Sequence, residues 1–487
     1  MPKRIDLLLV NPGNRLEQFA KLHELATVAQ PLGIALIAAI ARSQGLTVEI
    51  CDAEVEFWTP EQAVENIVAK WDPLVVGVTA FTTKMTAAGL ILKGIKELLP
   101  HVVTVLGGHH ASAIPTRCLN EEAVDFVING EGFDPIVQLV HRVKAKQMSY
   151  DITGVWYKNG DKIVDNGRSK GPDNLDDLPY AAWDLLPMDK YRAHHWQAWD
   201  HNLDQSRYAV IFTSLGCPFS CEFCSVNVVY GKRGTRFRSP EHVVGEIKYL
   251  VDNFNIQHFE IVDDLFTVNP KRVHAVCDEI IAQGLGDKIN AWCFGRTDTI
   301  EEKLVQKMKA AGINWVFMGI ESGDEGILNS VHKQQTLSKI YKANDILRKV
   351  GIHVGGNFIF GLPEDTFETM QATIDLACNM NADYSNFFLA MAYPGTSLHE
   401  LAQKNGYPLP EKWGQYGFFA PDALPIRNQS LSHQDILDFR DRAFETYFTG
   451  VTYQNRVREV FGDHVVQFLK DKVLSKKIHR IHRDAAE

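Results

Sequence analysis

Several features that would place a chain in a narrow class are missing from these 487 residues. There is no excess of positive charge: the formal net charge is −10, which argues against general affinity for nucleic acid or anionic membranes. The longest apolar run, residues 31–41, is too short to span a bilayer. The basic and then apolar start is followed by no small-residue cleavage site. We therefore expect a cytoplasmic protein without an integral membrane segment.

Cysteine is also scarce, and five of the eight cysteines are scattered singly, so the chain has no disulfide framework. The other three, Cys217, Cys221 and Cys224, have the spacing Cys-x3-Cys-x2-Cys. Three thiolates in a short loop can hold three irons of a cubane cluster and leave the fourth iron open to a ligand. A structural zinc site is the alternative, but it needs four ligands, and the sequence has no second Cys-x2-Cys pair.

Residues 1–144 alternate apolar strand patterns with helical patterns, which predicts an α/β domain with a doubly wound, Rossmann-like parallel sheet. Such sheets bind ligands outside the carboxyl ends of their strands. The predicted ends are rich in glycine and small polar groups, which suit close approach to a cofactor. Ordinary strand-end turns are the alternative. The candidate contacts are Thr79, Gly107, Gly108, His109, Gly130 and Glu131.

Residues 145–206 follow as a predicted ordered linker, with a hairpin turn around residues 157–162. We expect His194, His195 and Trp196 to lie in a surface loop. The segment 207–399 then repeats a strand-then-helix unit six times, short of the eight units of a closed barrel. This pattern predicts a partial (β/α)6 TIM barrel whose open side admits a substrate.

The cysteine loop directly follows the first predicted barrel strand, residues 210–214. Polar or glycine-containing clusters end the later strands, where barrel enzymes place their chemistry. The residues singled out there are Asp263, Asp264, Arg296, Glu321, Gly361 and Pro363. A basic patch of Arg233, Arg236 and Arg238 could meet corrin amides or an anionic substrate, or be a solvated loop.

Residues 400–487 leave the alternating pattern. We predict a helical segment, with a helix capped by Ser432 and a second helix over residues 457–476. It either covers the barrel mouth and forms the substrate pocket or simply packs as a helix pair. No added nucleic-acid-binding module is visible, so we expect a small-molecule substrate and no nucleic-acid partner.

The cysteine loop, with Phe223 before its last cysteine, resembles the radical S-adenosylmethionine (SAM) superfamily. The N-terminal segment is similar to the cobalamin-binding domain that precedes such cores. The motifs that carry this second resemblance are Pro31-Leu32-Gly33, Thr79, Leu106-Gly107-Gly108 and Asn129-Gly130-Glu131-Gly132. The Asp-x-His-x-x-Gly loop of many cobalamin proteins is absent after the first strand, so the resemblance implies cobalamin without a histidine on its lower face.

The resemblance implies a [4Fe–4S] cluster on the three clustered cysteines, with SAM chelated by the open iron. Phe223 would then flank the adenine. Asp263 and Asp264 occupy the positions whose residues contact the methionyl amino group of SAM in the family. The usual Gly-Gly-Glu-Pro motif is missing, and capping of the loop is the alternative role of these two carboxylates.

Four more positions match the family's pattern around SAM. Glu321, in Gly-Ile-Glu-Ser, would bond the ribose or the methionyl part of SAM. Arg296 would bind the SAM carboxylate or else pair with Asp298. Gly361 and Pro363 would shape the turn near the adenine.

The function implied is that of a cobalamin-dependent radical SAM enzyme, most often a C-methyltransferase that uses a 5′-deoxyadenosyl radical and methylcobalamin. Its substrate would be an unactivated carbon of a small-molecule or natural-product intermediate, with an electron donor such as flavodoxin or ferredoxin. The alternative enzyme is a radical oxidative cyclase or rearrangement enzyme similar to the anaerobic magnesium-protoporphyrin monomethyl ester cyclase. A cobalamin or redox sensor is the non-catalytic alternative. No catalytic side chain is identified.

Overall fold

The computed structural model describes residues 1–15, 19, 23–147, 149–476, 478, 480 and 481. Its first unit is a seven-stranded sheet with strand order β2-β1-β3-β4-β5-β6-β7. The strands are Lys3–Asn11 (β1), Val48–Asp52 (β2), Trp71–Thr79 (β3), Val103–Gly107 (β4), Phe126–Ile128 (β5), Val155–Asn159 (β6) and Lys162–Val164 (β7). Strands β1 to β5 pair in parallel, which confirms the predicted doubly wound α/β unit.

Helices cover both faces of this sheet because alternate residues of its central strand point to opposite sides. Leu7 and Leu9 of β1 join one buried cluster, whereas Leu8 and Val10 join another. The helices of this unit are Leu32–Ser43 (α1), Pro60–Lys70 (α2), Met85–Leu98 (α3), His109–Ala113 (α4), Pro115–Glu121 (α5) and Pro135–Lys144 (α6). Helix α2 begins with Thr59 in a capping box and proline at the first position.

The second unit is a six-stranded parallel sheet in the order β15-β14-β13-β12-β11-β8. Its strands are Tyr208–Ile211 (β8), His258–Ile261 (β11), Asn290–Gly295 (β12), Ile313–Glu321 (β13), His353–Phe360 (β14) and Tyr384–Leu389 (β15). A short hairpin of Ser214–Leu215 (β9) and Arg236–Phe237 (β10) lies at the end of β8. Strands β8 and β15 are edges, so this is the predicted partial barrel, open on one side.

Helices alternate with these strands, as the sequence pattern indicates. They are Asn227–Tyr230 (α7), Pro240–Phe254 (α8), Pro270–Ala282 (α9), Glu302–Ala310 (α10), Glu325–Ser330 (α11), Leu337–Val350 (α12), Phe367–Met380 (α13) and Ser397–Lys404 (α14). Side chains of Ser239, Asn269 and Thr366 accept hydrogen bonds from the first turns of α8, α9 and α13. Each cap fixes where its helix starts, and so how long the strand-end loop before it is.

The linker is more deeply integrated than its composition suggested. The predicted hairpin forms as β6 and β7, and it extends the N-terminal sheet. The prediction of a surface loop at residues 194–196 is wrong, because Trp196 is buried against Trp292, Trp315 and Phe317 at ring-centroid distances of 5.3, 5.0 and 4.4 Å. Aromatic side chains of β12 and β13 need an apolar partner, and the linker supplies it.

The C-terminal segment consists of His433–Thr449 (α15), Val451–Phe461 (α16) and Asp463–Phe468 (α17), followed by a π-helical turn at Leu469–Leu474. Ser432 caps α15 as predicted. The prediction of one continuous helix over 457–476 is wrong, because Gly462 interrupts it with a φ of 93°. Helix α15 packs on β14 and β15. Among the described residues, no helix combines the length and apolarity needed to cross a membrane.

Candidate active site

The three clustered cysteines lie in a loop between β9 and α7, at the carboxyl end of the barrel sheet. The loop is tied down at several points: Gly216 N donates to Asp264 Oδ2 at 2.9 Å, and Glu222 N donates to Val331 O at 3.3 Å. Gly216 has a φ of 91°, and a Cβ there would lie 2.4 Å from Gly234 O. Burial raises the pKa of the Cys217 and Cys221 thiols, and Cys224 is the exposed member of the three. A donor set of three thiols on one anchored loop suits a cubane cluster.

Asp263 and Asp264 follow β11 and have different surroundings. Asp263 is buried and accepts hydrogen bonds from the backbone and hydroxyl of both Thr213 and Ser214, at 2.5 to 3.0 Å. Asp264 is exposed as a residue, but partial desolvation of its carboxyl group raises the pKa of that group to about 6, despite the hydrogen bond from Gly216 N. The four hydrogen bonds that Asp263 accepts therefore all come from the strand end that leads into the cysteine loop, and SAM contact stays a prediction for both carboxylates.

Arg296 follows β12 and is 5% exposed. Its Nε lies 2.9 and 3.1 Å from the two carboxylate oxygens of Asp298, so the predicted alternative ion pair is present. Its Nη2 donates to the carbonyl of Lys333, and its guanidinium lies 4.2 Å from the ring centroid of Phe219 in the cysteine loop. Arg296 thus links the third strand end to that loop, and contact with the SAM carboxylate stays a prediction.

Glu321 ends β13 with a φ of 71°, next to an irregularity in the pairing with β14. The left-handed conformation is strained for a glutamate and turns its carboxylate toward Lys333, whose Nζ lies 2.6 Å away. Although desolvation acts against the charged amine, Glu321 and Cys221 leave the pKa of Lys333 above its ordinary value. A buried, oriented pair of charges therefore stands beside the cysteine loop.

The remaining predicted SAM residues form an apolar wall and a turn. Phe223 packs with the buried cluster that includes Ile327, Ile359 and Leu362. Gly361 has a φ of 83°, and its backbone N–H donates to Asp365 Oδ2 at 3.1 Å. A Cβ at Gly361 would lie 2.6 Å from Ile436 of α15, so this turn needs glycine for its packing. Pro363 lies in the same turn, and the adenine contacts of all three residues stay predictions.

A larger cavity of about 480 Å³ lies between the carboxyl edge of the N-terminal sheet and the barrel unit. The barrel side contributes Leu215, Val229, Tyr230 and Val262. All six residues predicted to contact the cofactor at this sheet edge line it: Thr79, Gly107, Gly108, His109, Gly130 and Glu131. Its volume is in the range typical of cofactor sites, roughly 300–1,000 Å³. The structure therefore brings this residue set together around one space suited to a corrin ring.

Glu131 also joins the two units. Its carboxylate accepts from Arg236 Nη2 at 2.5 Å and from Gly171 N at 2.8 Å. Arg236 is the middle arginine of the predicted basic patch, and the patch does not act as one surface. Arg238 is buried in an ion pair with Glu246 at 2.7 Å, whereas Arg233 is exposed.

A smaller pocket of about 220 Å³ adjoins the larger cavity. Five parts of the chain line it: the turn before α3, the first residue of α4, the segment from Ser225 into α7, the loop after β15 and a loop of the C-terminal segment. The lining residues are Phe81, Thr82, Thr83, Lys84, His109, Ser225, Val228, Tyr393, Pro394, Gly417 and Phe418. Burial lowers the pKa of His109 to about 4, so its imidazole is neutral at pH 7. His110 is buried elsewhere, against Thr82 and Trp413.

Comparison with known proteins agrees with the division of the chain into two α/β units. The Radical SAM superfamily matches residues 211–377, and the B12 binding domain matches residues 21–140. An uncharacterized methyltransferase of Pyrococcus horikoshii is 34% identical over 420 residues, covering 86% of this chain and 88% of the relative. The chain belongs to the cobalamin-binding radical SAM family. It is a cobalamin-dependent radical SAM enzyme, and its cofactors are a [4Fe–4S] cluster, SAM and cobalamin.

The relatives of this radical SAM protein have more than one activity. The anaerobic magnesium-protoporphyrin IX monomethyl ester cyclase of Rubrivivax gelatinosus is 30% identical over 443 residues, covering 87% of this chain and 76% of the cyclase. In fold, the chain is similar to the radical SAM methyltransferase TsrM of Kitasatospora setae. The TM-score is 0.68 at 17% identity, with 92% of this chain and 89% of that one covered. Family membership therefore leaves methylation and cyclisation open.

Sequence reasoning about this radical SAM protein missed Lys333, Tyr230 and Lys84. Lys333 lies on a loop after α11, outside the motifs that carry the family resemblance. Tyr230 and Lys84 line the larger cavity from elements whose orientation only the fold defines. An available clue was the pattern Thr82-Thr83-Lys84 directly after a predicted strand end, because such positions face ligand sites.

Proposed function

We propose that the protein transfers a methyl group, by way of cobalamin, to an unactivated carbon of a small-molecule intermediate. The observation that carries this proposal is that the larger cavity and the smaller pocket share Phe81, Lys84 and His109 as a common wall. Ser225, just after Cys224, lines the smaller pocket from the other side. A substrate there would lie between the cobalamin cavity and the cysteine loop, as a reaction that uses both cofactors requires.

When bound, the cluster with SAM supplies a 5′-deoxyadenosyl radical and cobalamin supplies a methyl carrier. The chain's part is to bind, orient and exclude water. Thr79, Gly107 and Gly130 would border the corrin at the sheet edge, and Glu321 and Arg296 would orient SAM. Phe418 and Tyr393 line the smaller pocket, and the Tyr393 hydroxyl donates to Tyr416 O at 2.9 Å, which ties the loop after β15 to the C-terminal loop.

The size and lining of the smaller pocket support a compact substrate. About 220 Å³ is less than the roughly 300 Å³ at which pockets for drug-sized ligands begin. Its walls include the rings of Phe81, His109, Tyr393 and Phe418. Among the described residues that line it, Lys84 is the one cation, and Asn11 Oδ1 at 3.2 Å and Glu54 at 3.6 Å hold its ammonium group. We infer a substrate with a flat, unsaturated part and a polar group directed toward Lys84.

Radical oxidative cyclisation is the second candidate, supported by the 30% identity to the porphyrin cyclase. A tetrapyrrole does not fit the smaller pocket unless the loop around Trp413–Tyr416 moves away from Thr82–Lys84, on which it packs. The sensor alternative predicts cofactor binding without SAM cleavage. We also propose that a protein of the flavodoxin or ferredoxin class supplies the electron.

The decisive experiment needs no substrate. Anaerobically reconstituted protein is mixed with cobalamin, strong reductant and SAM labelled in its methyl group, and the products are followed by mass spectrometry. We expect label on the corrinoid and an equal amount of S-adenosylhomocysteine. Formation of 5′-deoxyadenosine with an unlabelled corrinoid would overturn methylation in favour of the cyclase. If neither S-adenosylhomocysteine nor 5′-deoxyadenosine forms, the result would favour the sensor.

A further inference from the structure

Residues 231–234 form an exposed loop between α7 and β10, attached directly to the cysteine loop. Gly234 N donates to the carbonyl of Cys217 at 3.2 Å, and Thr235 Oγ1 donates to Gly216 O at 3.2 Å. The tip of this loop is therefore one hydrogen bond from the backbone of the first cluster cysteine. A partner that binds the tip comes close to the cluster without entering either cavity.

The tip carries uncompensated positive charge. Lys232 and Arg233 are exposed, and among the described residues neither has an ion-pair or hydrogen-bond partner. Arg168 lies against Gly231, where a Cβ would be 2.6 Å from its Cδ, and it donates only to backbone carbonyls, including Val229 O at 3.2 Å.

The neighbouring charges cancel in pairs. Lys170 pairs with Asp173, and Arg236 pairs with Glu131. The pKa of Asp173 is lowered first by Lys170 and, with smaller effects, by Lys232 and Arg236, which shows that these groups share one surface. Arg168, Lys232 and Arg233 are therefore the cations on this surface that no carboxylate among the described residues pairs with, in a chain whose net charge is −10.

We propose that Arg168, Lys232 and Arg233 form the docking surface for a small acidic one-electron carrier that reduces the cluster. This rests on the proposed function, because SAM cleavage needs one electron. In the step, the carrier is oxidised and the cluster reduced by one electron, and no bond is made or broken. Opposite charge steers the encounter, and small, transient interfaces are typical of electron transfer.

Other ligands fit this surface less well. Lys232 and Arg233 line neither the larger cavity nor the smaller pocket, so they do not meet the corrin or a substrate there. A nucleic acid would be expected to engage a longer basic stripe, because its affinity comes from many phosphate contacts. Three positive charges beside the cysteine loop suit a transient complex with an acidic protein.

The test compares cluster reduction in wild type and in the double variant K232E/R233E, both reconstituted to the same iron content. The reductants are a reduced acidic plant-type ferredoxin and, separately, 5-deazaflavin with light, and bleaching of cluster absorbance is followed by anaerobic stopped flow. At low salt we expect ferredoxin to reduce the variant about tenfold more slowly than wild type, with photoreduction unchanged. The difference should shrink as ionic strength rises.

The matched control is K339E/K342E, which reverses two exposed lysines on α12, an outer helix of the barrel. It changes the net charge equally and should be reduced at the wild-type rate. Equal rates for wild type and K232E/R233E, or equal slowing in the control, would overturn the proposal. The proposal would also be overturned if K232E/R233E lost binding to a labelled oligonucleotide while ferredoxin still reduced its cluster at the wild-type rate. If the cluster is reduced normally but no methyl group is transferred, the result counts against the proposed function instead, because cluster reduction comes before methyl transfer.

Discussion

Lys333 Nζ lies 2.6 Å from Glu321 Oε1, with 11% and 8% of the two side chains exposed. The backbone carbonyl of Lys333 also accepts from Arg296, whose guanidinium is paired with Asp298. Two cations and two carboxylates therefore form one network beside the cysteine loop. In such a network the charges depend on each other, because burial penalises any charge left alone.

Replacing Lys333 by methionine should destabilise the cofactor-free protein strongly. The carboxylate of Glu321 would remain buried without its partner, at a cost of about 3–5 kcal/mol. The measurement is chemical denaturation of the barrel unit, followed by tryptophan fluorescence. Lys333→Arg should retain most of the stability. The double variant K333M/E321L should recover much of the loss, and a double variant as unstable as K333M would contradict the pairing.

The variant Cys221→Ala should lose the cluster and keep the corrinoid. Wild type reconstituted without oxygen should carry about four irons and one corrinoid per chain, and two thiolates do not hold the cubane. Iron, sulfide and corrinoid analyses provide the measurement. Cys378→Ala, at a half-buried cysteine on α13, is the control and should keep its iron. Full SAM cleavage by Cys221→Ala would refute the assignment of the cluster to this loop.

Removing the ion pair between Glu131 and Arg236 should weaken cobalamin binding. In Arg236→Gln the carboxylate of Glu131 loses its cation at the edge of the larger cavity, and the two units lose a direct tie. We expect about a tenfold rise in the dissociation constant for hydroxocobalamin, measured by equilibrium dialysis, which corresponds to about 1.4 kcal/mol. Arg233→Gln, at an exposed arginine nearby, should bind as wild type does. Equal weakening in both variants would point to general charge rather than to this pair.

Asp365 should make stability fall with rising pH. Burial raises its pKa from 3.8 to about 6, despite hydrogen bonds from Thr369, Leu362 and Gly361. The folded state therefore binds this proton more tightly than the unfolded state does. The resulting stabilisation is complete below pH 3.8 and is lost as pH rises through about 6. A shift of this size is worth roughly 3 kcal/mol for a buried group.

The variant Asp365→Asn isolates this effect. Its amide can still accept from Gly361 and Leu362, but it does not titrate. We expect the difference in unfolding free energy between the variant and wild type to grow in favour of the variant from pH 4.5 to pH 7. A difference that stays constant across that range would show that the carboxyl keeps its ordinary pKa.

Local patterns predicted much of this molecule because they depend on neighbours in the sequence. Strand periodicity gave both parallel sheets, and Ser432 was identified as a helix cap from its place before an amphipathic run. The residues at the sheet edge were gathered correctly because parallel strands end on the same side. Trp196 was misplaced, since a tryptophan in a polar linker gives no sign of the aromatic strands that bury it.

The sequence by itself determined the three-cysteine loop, the order of the two α/β units and six of the residues around the larger cavity. Each follows from spacing, periodicity or strand direction. Only the tertiary structure decided that Lys333 meets Glu321, that Arg236 binds Glu131 across the two units, and that no described residue pairs with Lys232 or Arg233. The physical reason is that a charge is paired or free according to what folding brings within a few ångströms of it, and the partner is distant in the chain.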